Sequence, residues 1–225
     1  MVTASLIIAA LLSLVPLIWE KHESVAPQDR AKMLGAALLM GVVRKLCMMF
    51  GLAETSPIDG SIIGTTTPLL VLILSVIVGV DNFTSKKVLG LVLGMMGTLA
   101  IILSSNSGMH TQSSVWGNVL IFISSCVSAS YMVLFKRLVG KYRVTTVLRW
   151  IYCASAFAIL PFGVDDMLTI DFSAMDTKIL LASLFVLFVP TYLPNLMLNY
   201  SLRSVAPTAS SIYAYIQPVV AVGLS

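Results

Sequence analysis

Long apolar runs, broken only by short polar connections, constrain this chain more than any other feature. Eight can be read along it: 2–19, 31–52, 58–80, 86–105, 116–136, 144–163, 179–202 and 206–225. A helix crosses a hydrocarbon layer about 30 Å thick with roughly 20 apolar residues, so each run is long enough or nearly so. Transmembrane strands would show alternating polarity, which these solid runs lack. Composition agrees, with 58% of the 225 residues apolar and 11% charged, against roughly 45–50% and about 25% in an ordinary soluble domain. Too few polar residues remain to cover a soluble globule. The fold class expected is an all-α membrane protein, a polytopic helical bundle. The first run starts at Met1 with no basic stretch ahead of it and no small-residue cleavage site before Glu20, so it reads as a spanning helix rather than a signal peptide.

Lys and Arg accumulate on the cytoplasmic side of membrane proteins. Alternate connections carry Lys21, Arg30 and Lys32, then Lys86 and Lys87, then Lys136, Arg137, Lys141 and Arg143, then Arg203. The intervening connections hold only Lys178, and one is acidic, with Asp165, Asp166, Asp171 and Asp176. The connection at 20–30 and every second one after it are therefore expected to face the cytoplasm, in a chain that crosses the cell (inner) membrane many times. The net charge of +4 is too small to suggest nucleic acid as a partner. Cys47, Cys126 and Cys153 all lie in apolar runs, without a CxxC pair or a Cys/His cluster. Neither a disulfide framework nor a metal site is indicated, and no cofactor is expected.

The chain also repeats itself at an offset of 150 residues. Pro57, Ser61, Ile62 and Pro68 align with Pro207, Ser211, Ile212 and Pro218, so two prolines 11 residues apart recur in the third and eighth runs. An odd number of runs separates the copies, and equivalent helices therefore cross in opposite directions. That is the inverted-repeat plan of secondary transporters. A unit of five helices gives a 5+5 plan with about eight helices present: a first repeat over 1–105 and a second over 106–225. On this reading the first repeat lacks its opening helix and the second its last. The alternative is a complete eight-helix protein.

Several stretches resemble EamA-type transporters of the drug/metabolite transporter superfamily. They are Leu52-Ala-Glu-Thr-Ser-Pro57 through Thr67-Pro68, Lys87-Val-Leu-Gly90 through Gly94 and Gly97, Trp116-Gly117-Asn118, and Ser211-Ile-Tyr-Ala-Tyr-Ile-Gln-Pro218. The resemblance covers nearly the whole chain through the order and spacing of these stretches. It implies a ten-helix basket around a central cavity, and transport of small metabolites, amino acids or drug-like solutes. The partners expected are the lipid bilayer and a small-molecule substrate, with a homodimer left open.

Candidate cavity residues follow from polarity and backbone chemistry. Pro68 and Pro218 lie about 16 Å into their helices, near the midplane. Each leaves a carbonyl four residues earlier without its usual donor, at Gly64 and Ala214, with Thr65 beside the first. Tyr213 and Gln217 share one face around Pro218, while Ser211 and Tyr215 share roughly the opposite one, and the sequence leaves open which pair faces a cavity. Tyr192, Asn195 and Asn199 form a polar stripe at i, i+3 and i+7. Arg44 and Lys45 stand about 20 Å from the cytoplasmic end of their run. Charges there cost roughly 2.5–3.5 kcal/mol each. A cavity cation attracting carboxylate or phosphate is one reading, and snorkelling toward the outer face is the other. The prolines and the stripe also admit a purely structural role in kinks and interhelical bonds. Gly90, Gly94 and Gly97 suggest a close-packed helix face.

None of the ten acidic residues lies in the middle of a run. Coupling through a buried carboxylate is therefore not expected, and a facilitator or exchanger fits better. No Ser/His, paired-Asp or HExxH arrangement falls within the helices, which argues against a membrane enzyme. A channel-like pore and an inactive fragment remain as alternatives to a carrier.

Overall fold

The computed structural model describes residues 10, 13–14, 23–104, 114–168 and 192–215. Helices and their connections make up all of these, with no strand among them. Helix α1 spans Pro27–Glu54. Pro27 occupies its first turn, where a missing N–H costs nothing, and Asp29 places a carboxylate at the positive end of the helix dipole. The charged first turn explains why the helix begins ahead of the apolar run at 31. Within α1, residues Leu38–Val43 widen into a π-helix.

Thr55 is extended and ends α1. Ser56 caps α2 (Pro57–Gly64), its Oγ accepting from the Asp59 N–H at 3.0 Å. A break at Thr65 and Thr66 separates α2 from α3 (Thr67–Ile77). Gly79 at φ 71° turns the chain beyond α3, a left-handed conformation that glycine adopts without a Cβ penalty. The next helices are α4 (Ser85–Ser104), α5 (Val115–Leu134), the short α6 (Lys136–Lys141) and α7 (Val144–Leu168). Helix α8 covers residues 192–204, and α9 (Pro207–Ser211) passes into a 3-10 turn at Ile212–Tyr215. The first run and residues 179–191 and 216–225 of the last two runs lie mostly or wholly outside the described residues.

The chain forms two compact units, each drawing on both halves of the sequence: 1–42 with 137–204, and 43–136 with 205–225. In the first, α7 packs against the opening of α1. Met33, Ala36, Ala37, Val147, Leu148 and Tyr152 are all buried there. Gly41 lets the helices meet closely: a Cβ on it would lie 1.7 Å from Ser155 Oγ. That hydroxyl reaches the carbonyls of Ala37 and Ile151 at 3.0 and 2.6 Å.

In the second unit α5 is the hub, packing against the end of α1, α2 and α3. Gly51 and Gly117 meet there, with a Gly117 Cβ position 2.9 Å from the Gly51 carbonyl. Small residues are how membrane helices approach this closely. Leu72, Leu91 and Tyr215 form a further buried cluster joining α3, α4 and the 3-10 turn. Large apolar side chains such as Phe157 at 81% and Ile77 at 74% are exposed, as a surface in contact with hydrocarbon requires. Three described helical spans are long and apolar enough to cross a membrane: Pro27–Glu54, Asp59–Ile77 and Val115–Leu134. The protein is an all-α membrane bundle.

Candidate substrate site

Arg44 follows the π-helical stretch directly. Its Nε donates to Ser128 Oγ on α5 at 2.7 Å, while Ser124 Oγ donates back to the Arg44 carbonyl at 3.2 Å. The guanidinium is therefore tied to α5. Lys45, the next residue, is half-buried. A π-turn inserts one extra residue into the helical register and so re-aims everything after it. Neither the widening nor its serine partners could be read from residue spacing.

Both proline-marked stretches depart from regular α-helix, and at the offset of 150 the two departures overlap at Thr65 and Tyr215. In the first, Thr65 and Thr66 turn their Oγ1 hydroxyls onto the carbonyls of Ile62 and Ile63, both at 2.7 Å. Thr65 and Pro68 are buried. In the second, Ile212–Tyr215 tightens to 3-10 geometry, at positions matching Ile62–Thr65 in the repeat. Helices α3 and α9 pack against each other within the second unit.

The choice of face around the second break is also visible. Ser211 is buried, with its hydroxyl on the Thr208 carbonyl at 2.8 Å. Tyr215 is buried too, against Gly94, where an added Cβ would meet its ring at 2.8 Å. Tyr213 is 41% exposed. Of the three glycines expected to form a close face, Gly94 does so, whereas among the described residues nothing comes within 4 Å of a Cβ placed on Gly90 or Gly97. Gln217 and Pro218 lie outside the described residues.

The stripe on α8 belongs to the first unit. Tyr192 sits 5.9 Å from the Tyr152 ring of α7, centroid to centroid. Tyr192 and Asn195 are half-buried. Asn199 is enclosed, and its Nδ2 donates to the Asn195 carbonyl at 2.8 Å. Residue spacing gives no sign that Tyr152 is a partner of the stripe.

Charge is concentrated at helix ends. Asp29 is buried, accepting from Tyr142 Oη at 2.8 Å and from Lys141 Nζ, with Lys32 3.4 Å away. The Lys141 ammonium, then the Tyr142 hydroxyl, hold its carboxyl down to about 2 against the opposing effect of burial. At Asp81, burial pushes the carboxyl up but is outweighed by Lys87 and other hydrogen bonds, leaving it below its ordinary value. Among the described residues no three His, Cys, Asp or Glu side chains come together to hold a metal ion.

Comparison with known proteins adds the following. The sequence profile of the EamA-like transporter family matches residues 1–103 and 115–225. The uncharacterized transporter YyaM of Bacillus subtilis (strain 168) is 27% identical over 176 residues, 78% of this chain and 58% of that protein. A second from the same organism, YetK, is 26% identical over 186 residues, covering 80% of this chain and 55% of its own length. An uncharacterized transporter of Archaeoglobus fulgidus is 23% identical across 71% of this chain and 55% of that protein. This chain thus spans little more than half the length of these relatives. One solved crystal structure superposes with a TM-score of 0.76 at 14% identity, covering 99% of this chain and 77% of that one, a likeness of fold.

Proposed function

The chain belongs to the EamA-like transporter family, and from that premise we propose that it is a carrier of small organic metabolites, amino acids or drug-like solutes in the cell (inner) membrane. Transport proceeds by alternating access between inverted repeats over 1–105 and 106–225. The observation carrying this reading is that both proline-marked stretches leave α-helical geometry, at Thr65–Thr66 and at Ile212–Tyr215, the two departures overlapping at Thr65 and Tyr215. Broken helices offer unsatisfied backbone groups at the depth where carriers place their substrates. Within the second unit, Arg44 and the exposed Tyr213 supply polar side chains that recognise carboxyl, amino or ring groups. Ser128 holds the Arg44 Nε, and the terminal nitrogens of the same guanidinium are assigned to an anionic group.

Reconstitution into proteoliposomes and uptake of labelled amino and carboxylic acids test the reading. Saturable flux that rises when unlabelled solute is loaded on the far side supports a carrier. Flux linear in solute concentration sinks it in favour of a pore, and absence of flux favours an inactive fragment. Arg44→Gln is expected to raise KM for carboxylate solutes about tenfold or more, in line with about 1.5–3 kcal/mol for a hydrogen bond to a charged group. An unchanged KM removes Arg44 from the site.

A further inference from the structure

We propose that a groove on the unit formed by 1–42 and 137–204 holds one phospholipid with an anionic headgroup. The groove runs between α1 and α7 and encloses about 740 Å³, within the range of about 300–1,000 Å³ found for small-molecule pockets. Arg30 and Arg149 line it on the N-terminal side of Leu34, Leu38, Ala154 and Phe157 along the same two helices, and that N-terminal end is taken as its mouth. Arg30, Leu34 and Leu38 are four apart on α1, as Arg149, Cys153 and Phe157 are on α7. Each row therefore follows a single helix face for about 12 Å, from charge into hydrocarbon.

The arrangement matches an amphiphile in both polarity and charge. Basic pockets between transmembrane helices select anionic headgroups. Glu23 also lines the mouth, but its Oε2 accepts the Arg143 backbone N–H at 2.9 Å. Two guanidiniums against one carboxylate leave the lining net positive. Arg30 donates through Nε to the Val25 carbonyl at 3.3 Å, which fixes its stem beside the opening. Further along the helices Leu34 is 46% and Leu38 51% exposed, and Phe157 is 81% exposed, an apolar face that an acyl chain covers. Trp150 lies beside Arg149 along the wall, the residue type that membrane proteins favour at headgroup level. The basic connections before α1 and α7 assign this mouth to the cytoplasmic leaflet, where anionic lipid produces a negative surface.

The test is lipid retention, which is independent of transport. The full chain, delipidated in detergent, is offered dioleoyl phosphatidylglycerol or dioleoyl phosphatidylcholine in equal amounts and examined by native mass spectrometry. One phosphatidylglycerol is expected to be retained in preference. Arg30→Gln combined with Arg149→Gln should reduce that preference by about thirty-fold, which is about 1 kcal/mol per arginine converted at 1.4 kcal/mol per tenfold. Ala154→Trp, which fills the groove and leaves both arginines, should abolish retention. Arg203→Gln, an exposed cation elsewhere, should change nothing. Equal retention of the two lipids by the unaltered protein overturns the proposal, as does retention that survives both groove variants or falls equally with Arg203→Gln. A lipid-independent dimer that Ala154→Trp dissolves would place a second copy in the groove and also overturn it. If the double variant fails to fold, the single Arg149→Gln and Ala154→Trp carry the same decision.

Discussion

At Gly41, helix α1 has no room for one more carbon, since a Cβ would fall 1.7 Å from Ser155 Oγ and 2.5 Å from Ser155 Cβ. Gly41→Ala is expected to destabilise the protein by about 1–3 kcal/mol, as overpacking does. Adding Ser155→Gly should recover most of the loss, and thermal unfolding of the detergent-solubilised pair would show it. Recovery absent from the double variant would mean that the contact is not what limits the site. Asp29 carries a prediction with a sign. Its carboxyl is held down to about 2 from 3.8, so the unfolded chain protonates first as pH falls. The stability it contributes is fully present above about 3.8 and is lost as pH drops through about 2. Asp29→Asn should flatten the pH dependence of unfolding in that window, and equal slopes for both proteins would refute the argument. Neither feature could be read from sequence. Gly41 was one glycine among 14 and Asp29 one acid among ten, and only their neighbours across space give them a role.

Helices are where periodicity and composition read best. The runs at 31–52, 86–105, 116–136 and 144–163 correspond to α1, α4, α5 and α7, because a solid apolar run of that length has no other way to satisfy its backbone in a bilayer. The run at 58–80 is instead two helices, and the break falls at Thr65–Thr66, just before Pro68. Proline announced the interruption. The threonine hydroxyls that take up the carbonyls of Ile62 and Ile63 placed it. Pro68→Ala restores an N–H and should let α2 and α3 join. The variant is expected to be at least as stable as the parent in thermal unfolding while its transport rate falls by about tenfold or more, the loss expected when a backbone site is closed. Full transport with Pro68→Ala would show that the kink shapes packing alone. The π-stretch at Leu38–Val43 left no signal in residue type, because its widening is stabilised by where Ser155 and Gly41 meet.

For the molecule as a whole, the two compact units cut across the two sequence halves. The orientation inferred from Lys and Arg makes a prediction at this scale. A cysteine placed at Ser85, beside Lys86 and Lys87, should react with a membrane-impermeant maleimide only in inside-out vesicles. One at Ser114 should react only in right-side-out vesicles, after Cys47, Cys126 and Cys153 have been replaced. The reverse pattern would invert the topology. What the residues alone determined is the class of solvent, the helices answering to the runs at 31–52, 86–105, 116–136 and 144–163, and the paired prolines. Those follow from local chemistry, namely transfer of apolar side chains to lipid, the missing proline N–H and the distribution of charge. Tertiary structure decided which face of each helix is spoken for: Tyr215 packed on Gly94, Tyr213 exposed, Arg44 hooked to Ser128, and Arg30 and Arg149 gathered at one groove. The physical reason is that apolar residues surround each helix on all sides, so hydrophobicity gives no direction. Only the close fit of small residues and the pairing of scarce polar groups settles how each helix turns.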